Sequence, residues 1–250
     1  MADLEARKTW QLSNETPFQM RASMGHISDA RTVFIFGNNP DVKDVEETVW
    51  YHGGMYTYPT AAITMQIAGS DAACSSIVVV NGLDASYNEI SEVITVTGQT
   101  PQTLTHSYLR IQNAYVIANE TLGDIYIGVG AWVLGVPATV YARIHDGDNR
   151  SQAGMYTVPA GHTLYLPHGT ISHGSDSSAY ITGKFKYRMH GSVFHTAAVV
   201  TLNNNYIHYQ WQYPLALPEK TDIAATAICS KNQINGISVS FEGLLVREAQ

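Results

Sequence analysis

Between residues 76 and 117 the sequence reads SIVVVNGLDASYNEISEVITVTGQTPQTLTHSYLRIQNAYVI. Residues 77–80 form an unbroken β-branched run, as in a strand that is buried on both faces. Apolar side chains then recur on one face of each following strand, at Ile90, Ile94, Val96, Leu109, Ile111, Tyr115 and Ile117. This period of two is typical of half-buried antiparallel strands, and no helical period fits as well.

Two segments with turn chemistry divide this stretch into three predicted strands. The first contains Asn81-Gly82 and residues 84–88, and the second is residues 98–101. Glycine tolerates a positive φ, and Asn or Asp side chains hydrogen-bond to their own backbone, so both compositions favour turns.

The rest of the chain predicts an all-β fold with an N-terminal extended arm, residues 1–45, followed by two antiparallel β-sandwich or jelly-roll-like modules, residues 46–150 and 151–250. Pro and Gly interrupt every period in the arm, where one short strand is predicted at residues 32–36. We expect the arm to dock on the body or on a neighbouring copy; the alternative is a flexible leader. A turn at residues 146–149 marks the boundary between the two modules.

The longest clean alternation lies in the second module, and its apolar members are Ile207, Tyr209, Trp211, Tyr213 and Leu215. We predict a strand that ends at Pro214 and Pro218, because proline cannot donate to a sheet ladder.

Composition excludes several functional classes. The net charge is -7, so the basic footprint of a nucleic-acid binder is missing. Two cysteines, Cys74 and Cys229, are too few for a disulfide framework and are expected to be buried apolar residues. Neither a secretory signal nor an apolar run of membrane-spanning length is visible, which favours a soluble protein made in a cytoplasm.

Sites for chemistry or cofactors are not predicted. The nucleophile elbow, the Walker loop and the HExxH motif are absent, so we expect no enzyme. A histidine group at His162, His168, His173, His190 and His195 has imidazoles for a metal but matches no known ligand spacing. The sequence DGDN at 146–149 lacks the closing Glu of a calcium loop, because Thr157 occupies that position. We therefore predict neither a metal nor another cofactor.

Two patterns are candidates for an interface. Lys184, Lys186 and Arg188 share one face of a predicted strand, where they form either a solvated face or an electrostatic seam against an acidic patch of a like subunit or a partner shell. Aromatic residues cluster at 50–58 and 206–213, and the first cluster contributes Trp50, Tyr56 and Tyr58 to the candidate interface. Sugar stacking is an alternative for these aromatics, although half of the second cluster follows the strand period expected of core residues.

A resemblance covers nearly the whole chain. It is carried by FGNNPDV at 36–42, EETVW at 46–50, GG at 53–54, YTYPT at 56–60, VNGLDASYNEI at 80–90, YTVPAG at 156–161, PEKTDI at 218–223 and SFEG at 240–243. In this order the motifs are similar to those of virion structural proteins of tailed bacteriophages from marine and freshwater environments. The resemblance implies a component of the particle and brings no catalytic residues with it.

From these observations we expect a capsid decoration (cement) protein that stabilises the assembled phage head by binding it. It is predicted to form a homo-oligomer, with a trimer favoured, and to contact the major capsid protein or another virion protein. We expect neither nucleic acid nor membrane as a partner, and localisation to the virion after synthesis in the host bacterial cytoplasm. The alternatives are a tail or collar adaptor, a fibre-attachment protein, and a receptor- or carbohydrate-binding module.

Overall fold

The computed structural model describes residues 18–174, 179–203, 205–231 and 235–248. These contain one short helix, α1 (Phe18–Ser23), and sixteen strands: β1 (Ala30–Asn39), β2 (Glu47–Thr48), β3 (Ile63–Gly69), β4 (Ser75–Leu83), β5 (Glu89–Thr97), β6 (Gln102–Tyr108), β7 (Arg110–Ala118), β8 (Ile125–Val133), β9 (Val136–Ile144), β10 (Met155–Thr157), β11 (His162–Gly174), β12 (Ile181–Arg188), β13 (His195–Leu202), β14 (Tyr206–Leu217), β15 (Asp222–Cys229) and β16 (Gly236–Arg247). The predicted all-β class is confirmed.

The strands form four antiparallel sheets. Sheet A has the order β1-β16-β11-β14, and sheet B has the order β10-β15-β12-β13 with β2 paired to β15. Sheet C has the order β6-β3-β8-β9, and sheet D has the order β5-β4-β7. We call sheets C and D module 1, and sheets A and B module 2.

Each module has its own hydrophobic core. In module 1, Met65 and Ile67 of sheet C and Val78 and Val80 of sheet D are fully buried in one cluster. In module 2 the core joins strands of sheets A and B, with Leu164, Leu166, Ile181, Phe185, Ile223, Val239 and Phe241 among its members. The four small sheets are arranged more like the blades of a propeller than like a clear jelly roll.

The stretch 76–117 contains strands as predicted, but their number is four rather than three. The sequence did not predict β6, because this seven-residue strand follows Pro101 and is mostly polar, so it shows no clear alternation of apolar residues. The predicted turn at Asn81-Gly82 is wrong, since both residues lie inside β4 at a register shift. A Cβ on Gly82 would lie 2.2 Å from the carbonyl oxygen of Arg110, so glycine is required there by a close approach of strands and not by a turn.

Residues that the sequence assigned to the arm belong to the sheets of module 2. Strand β1 pairs with β16 from Ala30↔Val246 to Asn39↔Ile237. Strand β2 (Glu47–Thr48), which the sequence assigned to the first module, also belongs to module 2, because it pairs with β15. Ile35 of β1 is 4% exposed and lies in the core of module 2. Residues 1–17 of the predicted arm lie outside the described residues.

Strand β14 runs through Pro214 and ends at Leu217, immediately before Pro218, so the predicted end at Pro218 is confirmed and the one at Pro214 is wrong. β14 is an edge strand, and its pairing with β11 changes register between Leu166 and His168. A proline is tolerated at such an edge irregularity because the lost N–H has no ladder partner there. Tyr213, predicted to share the apolar face of this strand, is 78% exposed.

Candidate functional site

A buried carboxylate joins the two modules. Asp222, at the start of β15, accepts hydrogen bonds from Nε and Nη2 of Arg110 at 2.9 and 3.0 Å. Arg110 is the first residue of β7 in module 1 and is 5% exposed. Arg188 of β12 and the hydroxyl of Thr157 donate to the same carboxylate, at 2.5 Å from Nη2 and at 2.6 Å. We call these residues, with Tyr58, the module junction.

The electrostatics of the junction favour the ionised carboxylate. Burial alone raises the pKa of Asp222, but hydrogen bonds and charge from Arg110, with further hydrogen bonds from Thr157 and Arg188, outweigh it and lower the pKa. The remaining donor of Arg110, Nη1, is satisfied by the carbonyl oxygens of Pro59 and Leu109, at 2.8 Å each. A buried ion pair with this many charge-assisted hydrogen bonds fixes geometry more than it adds net stability.

Further contacts extend the junction on both sides. The guanidinium carbon of Arg110 lies 5.0 Å from the ring centroid of Tyr58, whose hydroxyl donates to the carbonyl of Ile223 at 3.4 Å. The side chain of Gln112 accepts from the N–H of Thr157 at 3.0 Å and donates to its carbonyl, so one amide completes the edge of β10 as a neighbouring strand would. These contacts hold the two modules in one relative orientation.

The predicted basic row has its acidic partners within the chain. Lys184 Nζ donates to Glu46 Oε2 at 2.8 Å, and Lys186 donates to the other oxygen of the same carboxylate. Burial raises the pKa of Glu46, but the hydrogen bonds from both lysines outweigh it and lower the pKa to about 2. Since Arg188 pairs with Asp222, each cation of the row has an acidic partner within the chain, but Lys184 and Lys186 share the carboxylate of Glu46, and Arg188 shares Asp222 with Arg110.

The predicted aromatic residues are mostly interior. Trp50 and Tyr56 are 4% and 7% exposed, and their rings meet edge to face with centroids 5.2 Å apart. Trp50 Nε1 donates to the carbonyl of Gly54 at 3.0 Å, and Tyr56 contacts Tyr58 at 4.8 Å between centroids. These rings fill module 1 and its junction, where they have no free face for a sugar. The interface role of the six predicted residues stays a prediction.

The histidine group does not converge on a metal site. Within the described ranges, no group of three or more His, Cys, Asp or Glu side chains is placed to hold a metal ion. His168 lies 3.3 Å from Glu242 and stands beside His208, while His173 bonds to the carbonyl of Gly236 in another part of sheet A. Among the described residues, no helix is long and apolar enough to cross a membrane.

Two cavities share one strand, β1. A cleft of about 430 Å³ separates β1 from sheet D; we call it the β1 cleft, and it is lined by Arg31, Thr32, Val33, Phe34, Asn81, Gly82, Glu89, Ile90, Ser91, Gln112, Asn113 and Tyr156. A groove of about 510 Å³ lies on sheet A; we call it the sheet A groove, and it is lined by Ser23, Thr32, Val33, Phe34, Tyr165, Pro167, His168, Pro214, Glu242, Gly243 and Leu244. Residues 32–34 line both cavities.

Apolar side chains are exposed on the outer face of sheet D. Val93 of β5 and Tyr115 of β7 flank Val79 of β4, and Val93 is 62% exposed. Ile117, on the same strand as Tyr115, is 54% exposed. Tyr115 bridges to Arg150, whose guanidinium carbon lies 5.9 Å from the ring centroid of Phe34. Exposed apolar residues therefore occur on sheet D and, on the other side of Arg150, on β1; we call Val93, Tyr115, Ile117 and Phe34 the assembly face.

The sequence missed both the junction and the assembly face. Arg110 and Gln112 were correctly placed on the side of their strand away from the apolar face, but nothing local indicates that module 2 covers that side. Conversely, Tyr115 and Ile117 carry the apolar alternation of a core-facing side, yet they are exposed. The one indication in the sequence is that apolar residues point to both faces of β7 between Ile111 and Val116, as expected of a strand that is covered on both sides.

Comparison with protein-family models finds no match, and comparison with the curated proteins finds none either. Among solved structures, the chain is similar to one from infectious bursal disease virus, Gt strain, with 12% identity, a TM-score of 0.20 and coverage of 94% of this chain and 83% of that one. The T13 particle of the same virus gives 12% identity and a TM-score of 0.21, covering 100% and 82%. The VP2 subviral particle of this virus gives 11% identity and a TM-score of 0.22, and the match covers 88% of this chain and 72% of that one. Similarity at this level establishes neither a common fold nor a common role.

Proposed function

We propose that this chain is a structural protein of a virus particle, and specifically a decoration (cement) protein of a tailed-phage head that acts by binding and not by catalysis. The observation that carries the proposal is the assembly face, which exposes Val93 and Ile117 on sheet D of module 1 and Phe34 on β1 of module 2. Clusters of exposed apolar side chains mark sites of protein association.

Three further features support a binding role. The motif resemblance points to virion structural proteins, and the junction around Asp222 joins the two modules by buried hydrogen bonds, as a clamp across neighbouring shell subunits requires. The basic row is paired within the chain with Glu46 and Asp222, so the proposed interaction surface is the assembly face and not this row. In the proposal the protein associates as a homo-oligomer, with a trimer favoured, and contacts the major capsid protein.

Rebinding to stripped heads tests the role. Heads depleted of the protein should release DNA at lower temperature, and added wild-type protein should restore them, because a ligand of the assembled shell stabilises it by mass action. The double variant Val93→Lys, Ile117→Lys should fail to restore them. Val133→Lys is the matched control, since Val133 is 70% exposed on the β8–β9 hairpin, away from the assembly face.

Equal restoration by all three proteins would exclude the assembly face as the binding site. Depleted heads that are no more fragile than complete ones would exclude the cement role itself. Copy number separates the head from the tail: hundreds of copies per particle fit a head protein, whereas about a dozen would favour a tail or collar adaptor.

A further inference from the structure

Module 2 contains an apolar space that its core does not fill. This space, about 40 Å³ in volume, lies between sheets A and B; we call it the module 2 cavity. Protein interiors contain few voids larger than a water molecule. One water molecule needs about 10–15 Å³ of such space and has a share of liquid volume of about 30 Å³. The module 2 cavity therefore has room for about three water molecules, or about 90 Å³ of molecule, which is the size of one six-membered ring.

The cavity opens between two strands that do not pair with each other. Strand β13 is an edge of sheet B and β14 is an edge of sheet A. Ala198 and Val200 of β13 line the cavity together with Tyr209 and Trp211 of β14, and all four residues are half-buried. Since these two strands belong to different sheets, a small separation between them would admit a ligand without breaking a sheet hydrogen bond.

The polar residues of the lining have their polar groups bound elsewhere. The ammonium group of Lys184 donates to Glu46 at 2.8 Å, and the hydroxyl oxygen of Thr170 lies 2.5 Å from that of Ser240. The cavity therefore presents no charged group to a ligand, which excludes ions as its occupants. Cavities with apolar linings stay dry and bind small apolar molecules such as benzene.

Aromatic rings form much of the wall. The centroid of the Phe185 ring lies 4.9 Å from that of Phe241 and 5.6 Å from that of Trp211, at interplanar angles of 51° and 64°. Tyr209 meets Trp211 at 4.7 Å and 76°. Aromatic pairs prefer edge-to-face and offset arrangements over face-to-face stacking. Because the wall rings are tilted relative to one another, a further ring among them meets the face of one and the edge of another.

We propose that the module 2 cavity is a binding site for a neutral, single-ring aromatic molecule, which enters between β13 and β14. The size of the cavity sets the limit of one ring, and the absence of a charged group in its lining sets the neutrality of the ligand. The site is separate from the assembly face and goes beyond the proposed function, since it requires neither a particle nor a second copy.

Titration of the purified full-length protein with benzene, followed by methyl NMR, tests the site. The chemical shifts of Ile171, Val200 and Val239, which line the cavity, should change at least about fivefold more than those of Ile67 and Val78 in the core of module 1, because a bound ring shifts the methyl groups beside it. At ten times the dissociation constant, benzene should raise the Tm by about 3–6 °C. Shifts of equal size in both cores, or no shift and no change in Tm, would overturn the proposal.

Variants that change the volume of the cavity give the second test. Ala198→Leu places three further carbons in the cavity and should raise the dissociation constant for benzene about tenfold or more. The matched control Ala216→Leu makes the same change at an exposed position of β14 and should alter the constant less than about twofold. Equal benzene affinity in the two variants would contradict binding in the cavity.

The opposite change keeps the test valid if Ala198→Leu does not fold. Val200→Ala removes two methyl groups from the wall, so it should bind naphthalene at least about fivefold more tightly than the wild type does. Equal naphthalene affinities would overturn the site. All of these measurements use free protein, so benzene binding by a protein that leaves phage heads no more stable would retire the cement role and leave this inference standing.

Discussion

Replacement of Arg110 by methionine tests the module junction. Methionine keeps most of the side-chain volume but removes two hydrogen bonds to Asp222 at 2.9 and 3.0 Å and two to carbonyl oxygens. Loss of one partner of a buried ion pair costs about 3–5 kcal/mol. Asp222 keeps Arg188 and Thr157, so we expect the lower end, about 3 kcal/mol. For a chain of this length that lowers Tm by about 6–12 °C.

Arg31→Met is the matched control. Arg31 of β1 pairs with Glu89 of β5, so it too connects the modules, but the two side chains are 51% and 43% exposed. An exposed pair of this kind contributes at most about 1 kcal/mol. Urea unfolding followed by tryptophan fluorescence, with calorimetry as a second probe, measures both variants. If Arg110→Met were no more destabilising than Arg31→Met, the junction would not be the contact that holds the modules together.

Three more predictions concern stability. The pKa of Glu46 is lowered to about 2 and that of Asp222 is also lowered, so the stability they contribute is complete above the ordinary carboxyl values and is lost as the pH falls toward 2; urea midpoints between pH 6 and 2.5 should fall, and less steeply in Glu46→Gln. Gly82→Ala should cost more than 2 kcal/mol in the same assay, on the order of an overpacking substitution, since its Cβ would lie 2.2 Å from the Arg110 carbonyl oxygen, whereas Gly161→Ala, with open space around it, should cost about 1 kcal/mol. Trp50→Ala should lower the free energy of unfolding by about 3–5 kcal/mol, because it leaves a cavity in the core of module 1. A glycan affinity that falls in a folded Trp50→Ala variant would show that the ring binds sugar and would contradict its assignment to the core.

The all-β class could be predicted from the sequence because the alternation of apolar and polar residues that identifies a strand is a local property. The run at 77–80 falls in β4, where Val78, Val79 and Val80 are all buried as predicted for a strand covered on both faces. The alternation of Ile90 and Ile94 falls in β5, which has the pattern of a half-buried strand. The turn predicted at Gly82 is wrong because glycine is favoured both in turns and where two strands approach closely. The two cases are distinguished only by the position of Arg110 in the fold.

The candidate site depended on long-range contacts that no local pattern encodes. The basic residues Lys184 and Lys186 were correctly placed on one face of a strand, but their partner Glu46 is about 140 positions away in sequence. An alternation shows which residues share a face of a strand; it does not show whether a second module, solvent or another molecule covers that face. For this reason Arg110 is buried and Tyr115 is exposed, although both lie on β7.

The pairing of β1 with β16 has a consequence for biosynthesis. Asn38 and Ser238 form a hydrogen bond although they are 200 positions apart. Strand β2 likewise cannot pair until its partner β15 has been synthesised. On the ribosome, module 1 has all its strands once residue 144 has emerged, whereas module 2 lacks a strand of sheet A until the last residues of β16 are made. Such non-local pairing is slow to form and leaves apolar strand surface uncovered meanwhile. Release of a chain shortened by a dozen C-terminal residues would therefore leave a folded first half attached to an aggregation-prone second half.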